Sequence, residues 1–304
     1  MKVNQFLLSG ITGVALSVFV LTGCHKDSTT TPTNNPSTTQ NDITSAEDES
    51  NASSAMNDSK TISDAGMSGN QGKYGQTRSV QAIYSSNCTV TWSSKDTGIG
   101  GTDTMYVNFG STPVECNDYR WRQGEIIVYW KQATGTLIQS YFDSSSVITM
   151  TFKNYAVGSL KSNMIGIAGT RVWTNTGTNA LLEENWSFAA NLTLTYSNAQ
   201  TATWNSTRTN TLVQIGGIYY YMITGSASGT DRSNVGYSLN ITSPLYVTAT
   251  PWWLGGCAWI ESGVLTVNVT GATYPISVNF GTVGSCDANA VATINGYNYP
   301  FIMY

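Results

Sequence analysis

The stretch Leu265-Thr266-Val267-Asn268-Val269-Thr270-Gly271-Ala272-Thr273-Tyr274-Pro275-Ile276-Ser277-Val278-Asn279-Phe280 decides the fold class. Apolar residues take every second position from Leu265 to Val269, and again from Tyr274 to Phe280, with Gly271-Ala272 between the two runs. Successive side chains of a strand point to opposite faces, so this is a hairpin with one buried face and one wet face. The same period recurs outward along the chain. Ile148, Met150 and Phe152 alternate with Thr149 and Thr151, Leu192, Leu194 and Tyr196 with Thr193 and Thr195, and Tyr237, Leu239 and Ile241 with Ser238 and Asn240. Turn signals at Asn154, Thr176-Gly177, Gly216-Gly217, Ser228-Gly229, Ser262-Gly263 and Asn295-Gly296 punctuate the runs. No long amphipathic run at helical spacing stands out. The expectation is an all-β fold, an antiparallel hairpin-rich sandwich or β-roll over residues 79–304.

The N-terminus carries a different signal. Lys2 precedes an apolar run from Phe6 to Leu21 that ends in Leu21-Thr22-Gly23-Cys24. A run this short, without a charged flank after it, reads as a secretory signal over residues 1–23, since a membrane span needs roughly 20 apolar residues. A cysteine after small residues resembles the bacterial lipobox, which implies acylation (palmitate and diacylglycerol) at Cys24 and a membrane as partner through that anchor. His25 in place of Asp, by resemblance to the sorting rule of enteric bacteria, favours the outer membrane, and Lys26-Asp27 resembles a surface-export signal. Residues 24–78 are then rich in Ser, Thr, Asn and acids, with Ile43, Ile62 and Tyr74 as rare large apolar residues. Such a composition buries too little surface to offset its ordering entropy, so a disordered tether is expected.

Composition excludes several chemistries. Charged residues are 11% of the chain, against a usual ~25%. So few cations leave no basic patch for nucleic acid. The single histidine is His25, outside the β region, which removes imidazole-based triads and most zinc sites. No phosphate loop or dinucleotide fingerprint occurs, so no cofactor and no metal are expected.

The two ends of the β region repeat each other. Cys88-Thr89-Val90-Thr91-Trp92, Val107-Asn108-Phe109-Gly110 and Cys116-Asn117-Asp118 are answered by Cys257-Ala258-Trp259, Val278-Asn279-Phe280-Gly281 and Cys286-Asp287, giving modules near 88–130 and 257–304. Each continues into a glycine-led run, from Gly124 and from Gly296. Four cysteines in an exported chain most simply form two disulfides, and of the three pairings the repeat favours Cys88 with Cys116 and Cys257 with Cys286.

The closing segment, from Cys257-Ala258-Trp259-Ile260-Glu261-Ser262-Gly263 through Asn279-Phe280-Gly281 and Cys286-Asp287 to Ala292-Thr293-Ile294-Asn295-Gly296, resembles the end of an uncharacterised family of exported Bacteroidetes lipoproteins. The middle, Thr203-Trp204-Asn205-Ser206-Thr207-Arg208-Thr209 and Ile223 to Thr230, is similar to the same family's central hairpins. The resemblance implies an envelope address and an all-β fold, and brings no activity. Where that family tends to have Asp before Phe-Gly, this chain has Asn108 and Asn279.

Three functions compete. Nine tryptophans and seventeen tyrosines in a weakly charged chain suit stacking on sugar rings, with Trp252, Trp253, Tyr219 and Tyr221 as candidate ligand-binding residues, so glycan or a surface protein is the expected partner. Trp92, Trp204 and Trp259 read as core. Wet faces of Thr, Ser and Asn suit a structural or adhesive surface component instead. A glycoside hydrolase would need two carboxylates about 5 to 10 Å apart. Glu115, Glu125, Glu183, Glu184, Asp231 and Glu261 are available, but no spacing selects a pair, and no catalytic residue is assigned.

Overall fold

The structure is a computed structural model that describes residues 36–68, 78–79, 88–94, 102–116, 118–131, 144–178, 184–249, 257 and 259–303. Cys24, Trp252 and Trp253 lie outside the described residues, as does the side chain of Trp92. Among the described residues one long helix, α1 (Pro36–Ser68), precedes fourteen strands. These are β1 (Arg78–Ser79), β2 (Thr89–Ser94), β3 (Thr102–Glu115), β4 (Trp121–Lys131), β5 (Val147–Gly158), β6 (Ile165–Thr178) and β7 (Glu184–Thr195). They continue as β8 (Thr201–Ile215), β9 (Ile218–Thr230), β10 (Gly236–Thr248), β11 (Ser262–Val269), β12 (Ile276–Asn279), β13 (Asn289–Ile294) and β14 (Tyr297–Ile302).

The expected all-β, antiparallel, hairpin-rich class is what the structure shows. Every strand pairs with its sequence neighbours, so the sheet runs β1 to β14 without a crossover. Alternation works as read: in β7, Trp186, Phe188, Ala190, Leu192 and Leu194 are buried while Ser187, Ala189, Asn191, Thr193 and Thr195 are exposed. The apolar face turns inward and the polar face outward, the reverse of a barrel that crosses a lipid bilayer. Among the described residues no helix is long and apolar enough to cross a membrane.

Two of the turn signals close two-residue hairpins, Gly216-Gly217 between Ile215 and Ile218, and Asn295-Gly296 between Ile294 and Tyr297, all four turn residues with positive φ. Other glycines lie inside strands. Gly225 (φ +125°) sits where a Cβ would come within 2.4 Å of the Thr207 carbonyl oxygen, and Gly169 (φ +117°) where one would come within 2.2 Å of that of Asn191. Ser228-Gly229 is likewise mid-strand, with Gly229 opposite Trp204. At such positions the missing side chain permits a close backbone approach rather than a chain reversal.

The tether expectation is corrected for residues 36–68. They form α1, and from Thr44 to Ser63 the helix is buried nearly all round, including Ser45, Asp48, Glu49, Ser50, Asn51, Asp58, Ser59 and Lys60. It touches β8, β11, β12 and β13, and bonds to residues of β4, β6 and β9, so the sheet curls around it. A helix polar on every side buries little apolar surface, so its place in the core needs polar partners. Its own carbonyls satisfy some hydroxyls: Ser50 donates to Ala46 O (2.8 Å), Ser63 to Ser59 O (2.9 Å) and Thr61 to Asn57 O (3.1 Å).

The sheet supplies the rest. Arg122 forks onto Asp58, with Nε at 3.1 Å and Nη2 at 2.7 Å, and Arg120 adds a contact to Asp58 at 3.3 Å. Arg208 pairs with Glu49, which also accepts from Trp204 Nε1 and Ser53 Oγ. Arg171 donates to the Met56 carbonyl. Arg232 pairs with Glu47 and, at 2.9 Å, with Asp48. These guanidiniums lie over rings as well, Arg171 over Trp173 and Phe188, Arg208 over Trp204, Arg232 over Tyr196. Lys60 is boxed by the rings of Trp173, Trp186 and Tyr221, bonds to the Tyr221 hydroxyl at 3.2 Å and pairs with Asp64. Burial alone would lower the Lys60 pKa, but the charge of Asp64 and the Tyr221 contact hold it above the ordinary value. For Asp48 burial wins: its carboxyl is pushed up to about 6 despite Tyr196 and Arg232.

The duplication is visible as shared local geometry. Asn108 and Asn279 each accept from the amide two residues on, Gly110 at 2.7 Å and Gly281 at 2.8 Å. Both glycines have positive φ, and Phe109 and Phe280 between them are buried. The asparagines are therefore turn formers. Asp118 and Asp287 repeat the device, accepting from the Arg120 and Asn289 amides. The segments after them, β4 and β13, hold equivalent places beside β3 and β12; Gly124 lies inside β4, whereas Gly296 turns the chain from β13 into β14. The bridges differ between copies. Cys257 and Cys286 form the expected disulfide, with Cα atoms 5.5 Å apart. Cys88 and Cys116, expected to pair, are buried free thiols; burial, then the neighbouring Cys116, pushes the Cys88 thiol up to about 12.

Candidate binding face

Strand parity builds a patch on the outer face of β3, β4 and β5. Inward positions are taken by Met105, Val107, Ile126, Val128, Ile148 and Met150, so Tyr106, Asn108, Glu125, Ile127, Tyr129, Thr149, Thr151 and Lys153 point outward. Register sets their neighbours. Asn108 faces Glu125 and Glu125 faces Lys153, which gives one polar row across three strands. Tyr106 faces Ile127, and Tyr129 is the next outward residue of β4, so the two tyrosines are diagonal neighbours about 7–8 Å apart at Cα. The Glu125 carboxylate and the Lys153 ammonium lie 3.8 Å apart, with the lysine 68% exposed. A contact this long with an open lysine contributes little to stability, so Lys153 stays available to a ligand, while the Glu125 side chain is 17% exposed.

Beside this row the sheet dips. Register shifts between Asn108 and Gly110, between Gln123 and Glu125, and between Thr151 and Tyr155 fall together on adjacent strands. A bulge bends its strand, and three side by side make a groove of about 930 Å³. Its polar lining includes Asn108, Ser111, Gln123, Glu125, Lys153 and Asn154. Gly124 (φ +78°) is required at its centre, because a Cβ there would meet the Asn154 carbonyl oxygen at 2.1 Å.

The residues singled out for ligand binding fall elsewhere. Tyr219 is 51% exposed at the end of β9. Tyr221 faces the interior and holds Lys60, so it is an α1 contact rather than a surface platform. Tyr220 is buried against Tyr246, rings 6.3 Å apart edge to face. Trp204 is fully buried as expected, and Trp259 packs at the core with Arg120 stacked on it at 4.1 Å.

The carboxylates also have structural partners. Asp231 is fully buried, accepting from Ser45 Oγ (2.7 Å) and from the amides of Ser233 and Val235. Glu261 accepts from Thr248 and from the Gly284 amide, and Glu184 from Asn175. Glu115 is exposed, and Glu183 lies outside the described residues. Glu125 is the carboxylate that lines the groove. Tyr106, Tyr129 and Lys153 escaped sequence reading, since an outward tyrosine in an alternating strand differs from an inward one only by register.

Comparison with models of protein families, with curated proteins and with solved structures finds no match.

Proposed function

We propose that this chain is a cell-envelope lipoprotein, acylated at Cys24 and held at the outer membrane, that displays a non-catalytic all-β domain for binding glycan at the cell surface. The observation that carries the binding reading is the outer patch of β3 to β5, where Tyr106 lies next to the polar row of Asn108, Glu125 and Lys153 at the rim of a groove and Tyr129 lies diagonally beyond Tyr106. Sugar rings bind where aromatic faces take the C–H side and nearby amides and charges take the hydroxyls. The resemblance to exported Bacteroidetes lipoproteins supports the same address. Cys24→Ser should move the protein from the membrane to the soluble fraction and abolish fatty-acid labelling. A glycan array should show binding by the parent that Tyr106→Ala and Tyr129→Ala weaken at least tenfold with the melting temperature unchanged. Absence of parental binding to any glycan would overturn the binding reading.

A structural or adhesive role has its own support. Thr207, Ser226, Asn240, Thr266, Ser277, Thr293 and Asn298 face one another in register from β8 to β14, an unbroken outward row of hydroxyl and amide groups. Asn191, Asn205, Ser228, Ser238 and Asn268 form a second row beside it. With strands about 4.8 Å apart, such rows suit a flat, repeating partner. Ordered assemblies of the purified protein, seen by light scattering and lost when Thr266 and Ser277 become lysine, would favour this role.

A further inference from the structure

The interior of the sheet reads α1 residue by residue. Arg232 reads Glu47 and Asp48, Arg208 reads Glu49, and Arg120 and Arg122 read Asp58. A box of Trp173, Trp186 and Tyr221 reads the Lys60 ammonium, and Asp231 reads Ser45. These contacts fix the direction and the register of the helix in the way a receptor fixes a ligand. The strand partners lie far from α1 in sequence: Asp58 to Arg122 spans 64 residues and Ser45 to Asp231 spans 186. None of the contacts depends on the peptide connection between Ser68 and Arg78. A polar helix of this composition is not stable alone in water, so it becomes a helix only when a sheet captures it. Conversely, a sheet without it would leave Arg208 and Arg232 without their anions and Arg122 with Asp118 alone, which is costly.

We propose that α1 is an exchangeable ligand of the sheet interior, and that the α1 of a second copy of this chain is its alternative occupant. Identical chains satisfy the charge pattern equally well in either arrangement. The choice is then set by concentration, because the chain's own α1 has the advantage of being tethered at an effective concentration in the millimolar range. Copies crowded together favour exchange, and the product is a pair of domains joined through their helices. This inference stands apart from the glycan reading and does not depend on it.

The test uses full-length chains. Ser45→Cys and Asp231→Cys together in one chain should crosslink within the monomer on oxidation, since the native side chains are 2.7 Å apart. Each substitution is then placed in a separate, differently tagged chain, and the two are unfolded and refolded together at high concentration. Exchange predicts a covalent heterodimer that is absent when either variant is mixed with the parent. Monomers alone, beside efficient crosslinking in the double variant, would overturn the proposal. A second measurement avoids these substitutions. A protease site is inserted between Ser68 and Arg78 and cut after folding, and a labelled peptide of residues 36–68 is added in excess. The peptide should enter the nicked protein at least tenfold more than one carrying Glu49→Lys and Asp58→Lys. Equal uptake of both peptides, or uptake of neither below the melting transition, would likewise overturn it.

Discussion

Replacing Glu49 by alanine tests whether α1 belongs to the core. Glu49 is fully buried and meets three groups, the Arg208 guanidinium, Trp204 Nε1 and Ser53 Oγ. Removing its carboxylate leaves Arg208, itself 3% exposed, as a buried cation without its anion. Loss of one partner of a buried pair costs about 3–5 kcal/mol, most of it from the stranded charge. For a domain of this size each kcal/mol lowers the melting temperature by about 2–4 °C, so the expected fall is roughly 6–20 °C. Changing both residues, Glu49→Met with Arg208→Met, removes both charges and fills the space. It should recover more than half of the loss, the remainder reflecting about 1–3 kcal/mol for the orphaned Trp204 N–H. Differential scanning calorimetry on parent, single and double variants gives the comparison. A Glu49→Ala protein that melts within 1 °C of the parent would refute the docked helix and restore the tether.

Limited proteolysis should leave a core that retains α1, cut upstream of Pro36 or between Ser68 and Arg78; a stable core lacking α1 would contradict its burial. The raised pKa of Asp48, about 6 against roughly 3.9 in an unfolded chain, means that folding favours its protonated form. Burial is the largest cause and the charge of Asp231 adds to it, while the Tyr196 hydroxyl and Arg232 pull the other way; the contribution of this group, about 3 kcal/mol, is therefore complete below pH 4 and is lost as pH rises through 6. Between pH 4 and 7 the parent should lose stability relative to Asp48→Asn, read as the change with pH in the difference between their melting temperatures. Gly225→Ala should destabilise strongly, because its Cβ would meet the Thr207 carbonyl oxygen at 2.4 Å in a backbone region that alanine avoids. In native protein Cys88 and Cys116 should resist alkylation and react only after unfolding without reductant, whereas Cys257 and Cys286 should appear as one linked peptide; a Cys88–Cys116 linkage would refute the free-thiol state.

What the sequence determined by itself is what periodicity and local chemistry encode. Alternation in segments such as Leu192–Tyr196 and Leu265–Val269 settles which side chains face inward, because the period of a strand is fixed by its backbone, whereas Tyr274, read as inward, precedes β12 and is 48% exposed. Asn295-Gly296 and Gly216-Gly217 settle their hairpins, because few residues accept positive φ. The repeat of Asn-Phe-Gly and Cys-Asp reveals two copies of one turn geometry, and it located the disulfide that forms. Only the tertiary structure decided the rest. α1 reads as solvated chain because its Ser, Asp, Glu and Asn residues have no apolar stripe, and what makes their burial tolerable is supplied by Arg122, Arg171, Arg208 and Arg232 from distant strands. Gly229 looks like a turn residue until register places it against the Thr203 carbonyl of the neighbouring strand. The outer patch of Tyr106, Tyr129, Asn108, Glu125 and Lys153 is assembled by the register of β3, β4 and β5, and the groove beside it by three bulges that coincide across those strands; register is a relation between strands that no single segment of the chain contains.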